Sequence, residues 1–482
     1  GVGVLSGAGG TSAASVAGQV QAFIDPGEKA DGTASIVVSG AVTVEALSSD
    51  VATANADGGA GGGISVSVLY ATVANTVETG AWIGSGAGLD VGSLDVNANA
   101  LNRYGEATIT VGAGAIFGGA GGSTDASSAG TVEAWIGSGA IVDSAGAVDI
   151  LAEGNVEAIA TSEGGAGGGI AVSIFDATAS TGVEAAARVD GDARVTAGTF
   201  SLATDMLETA TADLSTLGIG VGAGATGDSI ASSTSTNDVE IGEYAEIHAT
   251  GDVLIEAYSD RLTEAFADSI SGGAIAVGSI SVDASLDTST SAHLATGAAI
   301  TTDGSFTLRA ESDNSTDTDA DGGSGSLIDI AFAEGDSTLT DATGITVDNG
   351  VSVVADGAVL VEALQSFELR HSARRLPVLV DPSEFCRTVV DLVQGLVDSG
   401  VLTAEQVRNH PKRSELRSAL GIAPEVLEVT AGEGREAVQA GDVFMLCTDG
   451  LWEYLDDAVL EATLAAAPNP GAWLGELATA VR

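Results

Sequence analysis

Ile255-Glu256-Ala257 follows a glycine and a short β-branched run, and the same kind of phrase returns along the chain. Its other copies are Val44-Glu45-Ala46, Val96-Asn97-Ala98, Ile150-Leu151-Ala152, Leu202-Ala203-Thr204, Leu308-Arg309-Ala310 and Val361-Glu362-Ala363. The first residues of successive copies lie 52, 54, 52, 53, 53 and 53 positions apart. A nearly fixed interval of this length predicts a repeat architecture. Within each copy the period is two. Ile280, Val282, Ala284 and Leu286 alternate with Ser281, Asp283, Ser285 and Asp287, and Ile64/Val66/Val68 and Ile170/Val172/Ile174 do likewise. Such alternation predicts half-buried strands with the apolar residues inward. Glycine-rich runs at 58–63 and 164–169 predict corners between short strands.

The expected fold is mainly β, an elongated β-solenoid of about seven 53-residue repeats over residues 1–364, with a small α/β segment over 365–482. A seven-bladed propeller has a similar period, but short Ala/Gly-rich strands with few aromatics favour the solenoid.

Composition places the boundary near Leu364. Residues 1–364 hold one proline, no cysteine and six basic residues against 49 acidic ones, a net charge of −43. Ten basic residues, six prolines and both cysteines, Cys386 and Cys447, fall in the remainder. The strong negative charge argues against nucleic acid or an anionic membrane surface as partner. With 45% hydrophobic residues and a mean hydropathy of +0.30, the chain can nevertheless bury a core. No stretch of about 20 strongly apolar residues predicts membrane insertion. The chain opens in mid-pattern at Gly1, as a fragment would.

Aligning the copies on their shared phrase puts Phe23, Trp82, Trp135, Arg188, Glu240, His293 and Thr346 in one column. A position that takes Trp, Arg, Glu and His faces solvent or a groove. Trp82 and Trp135 are therefore candidates for stacking on sugar rings, or for packing against a neighbouring coil. Asp317-Thr318-Asp319-Ala320-Asp321-Gly322 matches the first half of a calcium loop, with Asp317, Asp319 and Asp321 as ligands, although Ile328 stands where a bidentate glutamate belongs. Gly222–Gly227 fits a dinucleotide fingerprint only by letter, because no helix pattern follows. The four histidines form no ligand cluster by spacing.

The blocks Gly62-Gly63-Ile64-Ser65-Val66-Ser67-Val68 and Thr76-Val77-Glu78-Thr79-Gly80-Ala81-Trp82-Ile83-Gly84-Ser85-Gly86-Ala87 resemble repeats of giant bacterial adhesins of the filamentous haemagglutinin-like or leukotoxin type. The resemblance implies a stalk or adhesin that is secreted or held at the cell surface, with an unidentified ligand on a host or neighbouring cell.

The tail changes style. Asp381-Pro382-Ser383-Glu384 and Thr403-Ala404-Glu405-Gln406 are helix-start patterns, and Val443–Cys447 predicts a buried strand ending in Thr448-Asp449-Gly450. Residues 366–482 resemble the C-terminal half of metal-dependent protein phosphatases of the PPM (type 2C) family, through Leu402–Pro411, Ser418-Ala419-Leu420-Gly421 and Gly441-Asp442 to Glu453. That family is cytoplasmic and uses manganese or magnesium, and the resemblance makes Asp449 a metal ligand. It also requires an early Glu-Asp pair, an Asp-Gly-x-Gly turn and a later Asp-Asn pair, none of which this sequence supplies. The alternative function is thus a serine/threonine phosphatase fragment without activity as it stands.

Overall fold

The structure, a computed structural model, describes residues 2–25 and 36–376. The chain divides into two units between Val378 and Leu379, and all described residues belong to the first. They form thirteen strands in one sheet and no helix; none of them lies in a helix long and apolar enough to cross a membrane.

Two kinds of strand alternate. Six are long: β2 (Ile36–Ile83), β3 (Gly88–Ile136), β5 (Ala147–Val189), β7 (Thr199–Ile241), β9 (Val253–Leu294) and β11 (Phe306–Val347). Five span four residues each: β4 (Ile141–Ser144), β6 (Arg194–Ala197), β8 (Glu246–Ala249), β10 (Ala299–Thr302) and β12 (Ser352–Ala355). At the two ends lie β1 (Val2–Ile24) and β13 (Val359–Leu376). Every pairing is parallel, and each strand pairs with its equivalent one coil away. Phe306 sits beside Val253 and Val359, and Phe200 beside Val148. The sequence interval has become the hydrogen-bonding register. This is a β-solenoid, and parallel pairing throughout excludes propeller blades. Between β1 and β2 the register lengthens, so that Ile24 pairs with Ile83. The last strand crosses the composition break at Leu364 without interruption and ends at Leu376.

The strands correct one expectation. Glycine runs do not separate short strands; they lie inside long ones, where each strand turns back on itself. The hydrogen bonds across the interior give the geometry. Ser48 Oγ lies 2.9 Å from Thr79 Oγ1, Ser162 Oγ donates to the Asp176 carbonyl at 2.6 Å, and the Ala166 N–H donates to Ser173 Oγ at 2.9 Å. The facing residues close in on a bend near Gly62 and Gly168, whose φ values of 156° and 153° suit glycine. Each coil is therefore a flattened loop with two long walls, a narrow bend at one end and a short third strand at the other.

The wide end closes with a tight turn whose third residue is left-handed in coil after coil. Gly86, Gly139, Gly297 and Gly350 have φ between 67° and 79°, and Asp192 and Tyr244 take the same conformation at φ near 60°. Behind the turn lies a core of large apolar side chains, including Ile83, Leu94, Ile150, Phe200, Leu202 and Phe306. A second core toward the bend is built mostly of alanine, with Leu69, Ile109, Phe175 and Leu214.

Near the bend the inward and outward faces are the reverse of the expected ones. Ser65, Ser67 and Ser173 are fully buried, whereas Ile64, Val66, Ile170, Val172 and Ile174 are exposed. The walls converge there to less than the ~10 Å that ordinary sheet packing needs. Only Gly, Ala and Ser fit inside, and strand alternation sends the branched residues out. One coil position further on, Ile280, Val282, Ala284 and Leu286 are buried as the alternation predicts.

Candidate functional site

The column read from the sequence is a real ladder. Phe23, Trp82, Trp135, Arg188, Glu240, His293 and Thr346 are register partners on successive strands. They sit just before the wide-end turn, where the following residue in each coil, such as Ile83 or Ile136, anchors the strand in the core. Alternation then leaves the ladder residues on the outer face, exposed or half-buried.

The ~4.8 Å spacing of paired strands is close to the stacking distance of aromatic rings. Phe23 and Trp82 stack at 4.6 Å and 7°, and Trp82 and Trp135 at 4.6 Å and 5°. The Arg188 guanidinium covers the next face, 4.6 Å from the Trp135 ring. Arg188 also donates to Glu133 at 2.9 Å and to Asp190 at 3.2 Å. Burial pushes the Asp190 carboxyl up against the pull of Arg188, and Glu133 adds to the rise. Further along, His293 lies 3.5 Å from Glu240 and 3.4 Å from Asp348.

This geometry bears directly on the sugar-stacking reading. Both faces of Trp82 are covered by Phe23 and Trp135, and both faces of Trp135 by Trp82 and Arg188. No flat indole face is left for a sugar ring; only ring edges reach solvent. The ladder is a staple between coils, with each stacked pair contributing about 0.5–1.5 kcal/mol.

Asp317, Asp319 and Asp321 also fall differently from the expectation. They lie within β11 on one outward face, not in a loop. Alternate side chains of an extended strand are about 6.8 Å apart, too far to converge on one ion with 2.3–2.6 Å ligand bonds. Their neighbours come from adjacent strands. Asp319 accepts from Ser372 Oγ at 2.8 Å, and Asp321 is in register with Asp268, whose carboxyl is pushed up by burial and then by Asp321 and Asp319. Similar in-register carboxylates are Asp95 with Asp149, Asp176 with Asp228, and Asp283 with Asp336. Among the described residues, no group of three or more His, Cys, Asp or Glu gathers to hold a metal. The glycine fingerprint at 222–227 is part of β7.

The interior holds charged groups that no sequence motif marks. Asp50, Arg103, Val156, Glu208, Arg261 and Asn314 form one inward column. Arg261 and Glu208 are fully buried and form an ion pair at 3.0 Å; Glu208 also accepts from Ser235, and Arg261 donates to Ser259 and Thr290. Arg103 is fully buried, donates to the Ala129 carbonyl at 3.2 Å, and has its pKa lowered by burial against the raising effect of Asp50. Aligning the copies shows opposite charges one coil apart in this column, which is the signal that could have revealed the pairs. The arrangement is a polar belt between the two cores.

Asp449 and the rest of the phosphatase-like segment from residue 377 lie outside the described residues. No family model matches the chain, and no solved structure matches it. The serine/threonine protein phosphatase PstP of Mycobacterium tuberculosis, from strain CDC 1551 and from strain H37Rv, is 41% identical over 71 residues. That stretch is 14% of this chain and 13% of the relative, so the chain spans about an eighth of the phosphatases it matches. The match supports the phosphatase resemblance of the tail and does not bear on the repeats.

Proposed function

We propose that the array is a structural stalk or adhesin segment, one of about seven stacked 53-residue coils, in a bacterial protein that is secreted or displayed at the cell surface. The observation that carries the reading is the parallel register: apart from local shifts near Val38, Ser48 and Ala100, every long strand repeats the same column positions in its neighbours. Such an array grows in length without changing cross-section, and its stability is a sum over coils and their contacts. Its acidic outer columns repel like-charged surfaces and attract cations, and calcium can be shared between carboxylates of neighbouring coils.

Deletion of residues 199–251, one whole coil, tests the reading. The shortened full chain should stay folded with an unchanged β spectrum, and negative-stain images should show a rod shorter by about 4.8 Å. Deletion of half a coil should abolish folding. Equal loss of structure in both deletions would defeat the stalk.

The partial phosphatase match favours a second reading, in which the tail derives from a PPM-type enzyme and Asp449 from its metal site. None of the described residues supplies the missing carboxylates, and a bridged two-metal centre is what generates the attacking hydroxide in that chemistry. The chain with manganese should therefore leave p-nitrophenyl phosphate unhydrolysed above background. Turnover that is lost in Asp449→Ala would make the enzyme reading the correct one.

A further inference from the structure

The bend edge is unlike the rest of the surface. Residues 58–70, 111–124, 164–175, 215–227 and 269–282 carry no charged side chain, although the array as a whole is at −43. On these strands the acidic residues fall on the walls and the wide end, whereas the β11 sequence in register with 269–282 includes Asp329 and Glu334. On the charge-free edge the branched side chains point outward in register. Leu5, Ile64, Phe117, Ile170 and Ile275 belong to one column, each roughly half exposed or more; Gly222 interrupts it, beside the exposed Val221.

Six strands at about 4.8 Å give the edge a length of about 29 Å, and a contour of twelve residues at about 3.3 Å gives about 40 Å around the bend. The resulting area of roughly 1,100 Å² exceeds the 300–600 Å² patches of ordinary monomers and the ~800 Å² per partner of a standard interface. Its relief is regular. Gly119–Gly122 on β3 leaves a notch of about 330 Å³ between Val66 and Val68 on one side and Val172 and Ile174 on the other, with Tyr70 and Asp176 also in its lining.

We propose that this edge is an isologous dimer interface, on which a second copy of the chain docks antiparallel. The Val172 and Ile174 side chains of one copy fill the Gly119–Gly122 notch of the other, and the reverse. Three observations select a second copy as occupant. The coil spacing of both surfaces is the same by construction, so ridges and notches stay in phase along the whole contact. Knob and notch lie on adjacent strands near the middle of the edge, as a two-fold axis between those strands requires. From β1 to β9 the edge is the stretch of the coil where two strongly acidic molecules meet with the fewest like charges opposed, Asp176 in the lining of the notch being the nearest carboxylate. A bilayer fits less well, because acidic walls flank the edge and are repelled by anionic headgroups. The inference is independent of any adhesin role.

Sedimentation equilibrium of the full chain tests it, with circular dichroism to verify folding. The wild type should dimerise, and more tightly as salt screens the walls. Ile174→Asp should weaken the dimer about a hundredfold by burying an unpaired carboxylate in the notch, and Ile174→Ser, which perturbs folding less, about tenfold. Gly119→Val is the sharper variant. A Cβ at Gly119 meets nothing closer than 3.7 Å, and its column neighbours Val66 and Val172 are already valine. It adds apolar surface yet fills the notch, so it should weaken the dimer about tenfold. A wild type that stays monomeric, a dimer indifferent to Ile174→Asp, or a tighter dimer in Gly119→Val overturns the proposal. So does a chain that is monomeric in solution but floats with phosphatidylcholine vesicles, which would assign the edge to lipid.

Discussion

The wide end and the bend of each coil are built from the same alternating pattern and solve opposite problems. At the wide end the walls stand apart, the third strand fills the gap, and Leu202, Ile150 and Phe306 interlock as a conventional core. At the bend the walls nearly touch, serine and alanine line the inside, and isoleucine and valine face water. Between them runs the polar belt of Glu208 and Arg261. The difference teaches that hydrophobic alternation identifies which residues share a face of a strand but not which face the fold will bury. The distance to the opposite wall decides that.

The belt offers the largest effect by which to break this contrast. Arg261→Met leaves Glu208 buried without its partner and should cost about 3–5 kcal/mol, read by urea unfolding. Combining it with Glu208→Leu should recover most of the loss, because a buried pair replaced by apolar residues of similar size is often near neutral. A double variant as unstable as the single one would show that the belt specifies the fold.

Next come paired truncations at the two ends. Leu202→Ala, in the wide core, should cost about 2–5 kcal/mol. Ile170→Ala, at the bend, should change stability by no more than about 0.5 kcal/mol in the monomer, because its side chain is already 50% exposed. Ser173→Val sharpens the point. It makes the interior more apolar but removes a hydroxyl that donates to the Leu217 carbonyl at 2.7 Å and accepts from the Ala166 N–H. A loss of about 1–3 kcal/mol is expected, whereas a gain would mean that the bend has room for a larger side chain.

The turn and the walls give smaller effects. Gly139→Ala meets no atom within 4 Å, yet φ is 67°, so it should cost about 1–2 kcal/mol by backbone strain alone. Gly112→Ala, equally open but in extended backbone, should be neutral or stabilising by about 0.4–1 kcal/mol. The walls respond to pH. Burial raises the carboxyls of Asp149, Asp176, Asp260, Asp268 and Asp283, helped by the in-register Asp95, Asp228, Asp313, Asp321 and Asp336 respectively. Groups raised in the folded state bind protons more tightly there than in the unfolded chain. Their contribution is most favourable below their unfolded pKa, near 4, and is lost as pH rises through the raised values. The melting temperature should therefore climb on acidification from neutral pH toward the unfolded carboxylate range near pH 4, and a fall over that range would show that ion pairs such as Arg194 with Glu246 dominate the walls.

Phrase spacing alone set the coil length and the membership of each column, because identical coils pair only when equivalent residues align, and the aromatic and acidic ladders follow from that alignment. The parallel direction of the pairing, which separates a solenoid from a propeller of similar period, was settled by the strands themselves. Tertiary structure decided the rest. The stacking that covers the Trp82 and Trp135 faces depends on the ~4.8 Å distance between coils, and the extended backbone of β11 keeps Asp317, Asp319 and Asp321 from converging. Whether Ile170 or Ser173 points inward depends on how closely the two walls approach. That distance is fixed where the strand turns back on itself, by contacts between residues that local alternation does not relate.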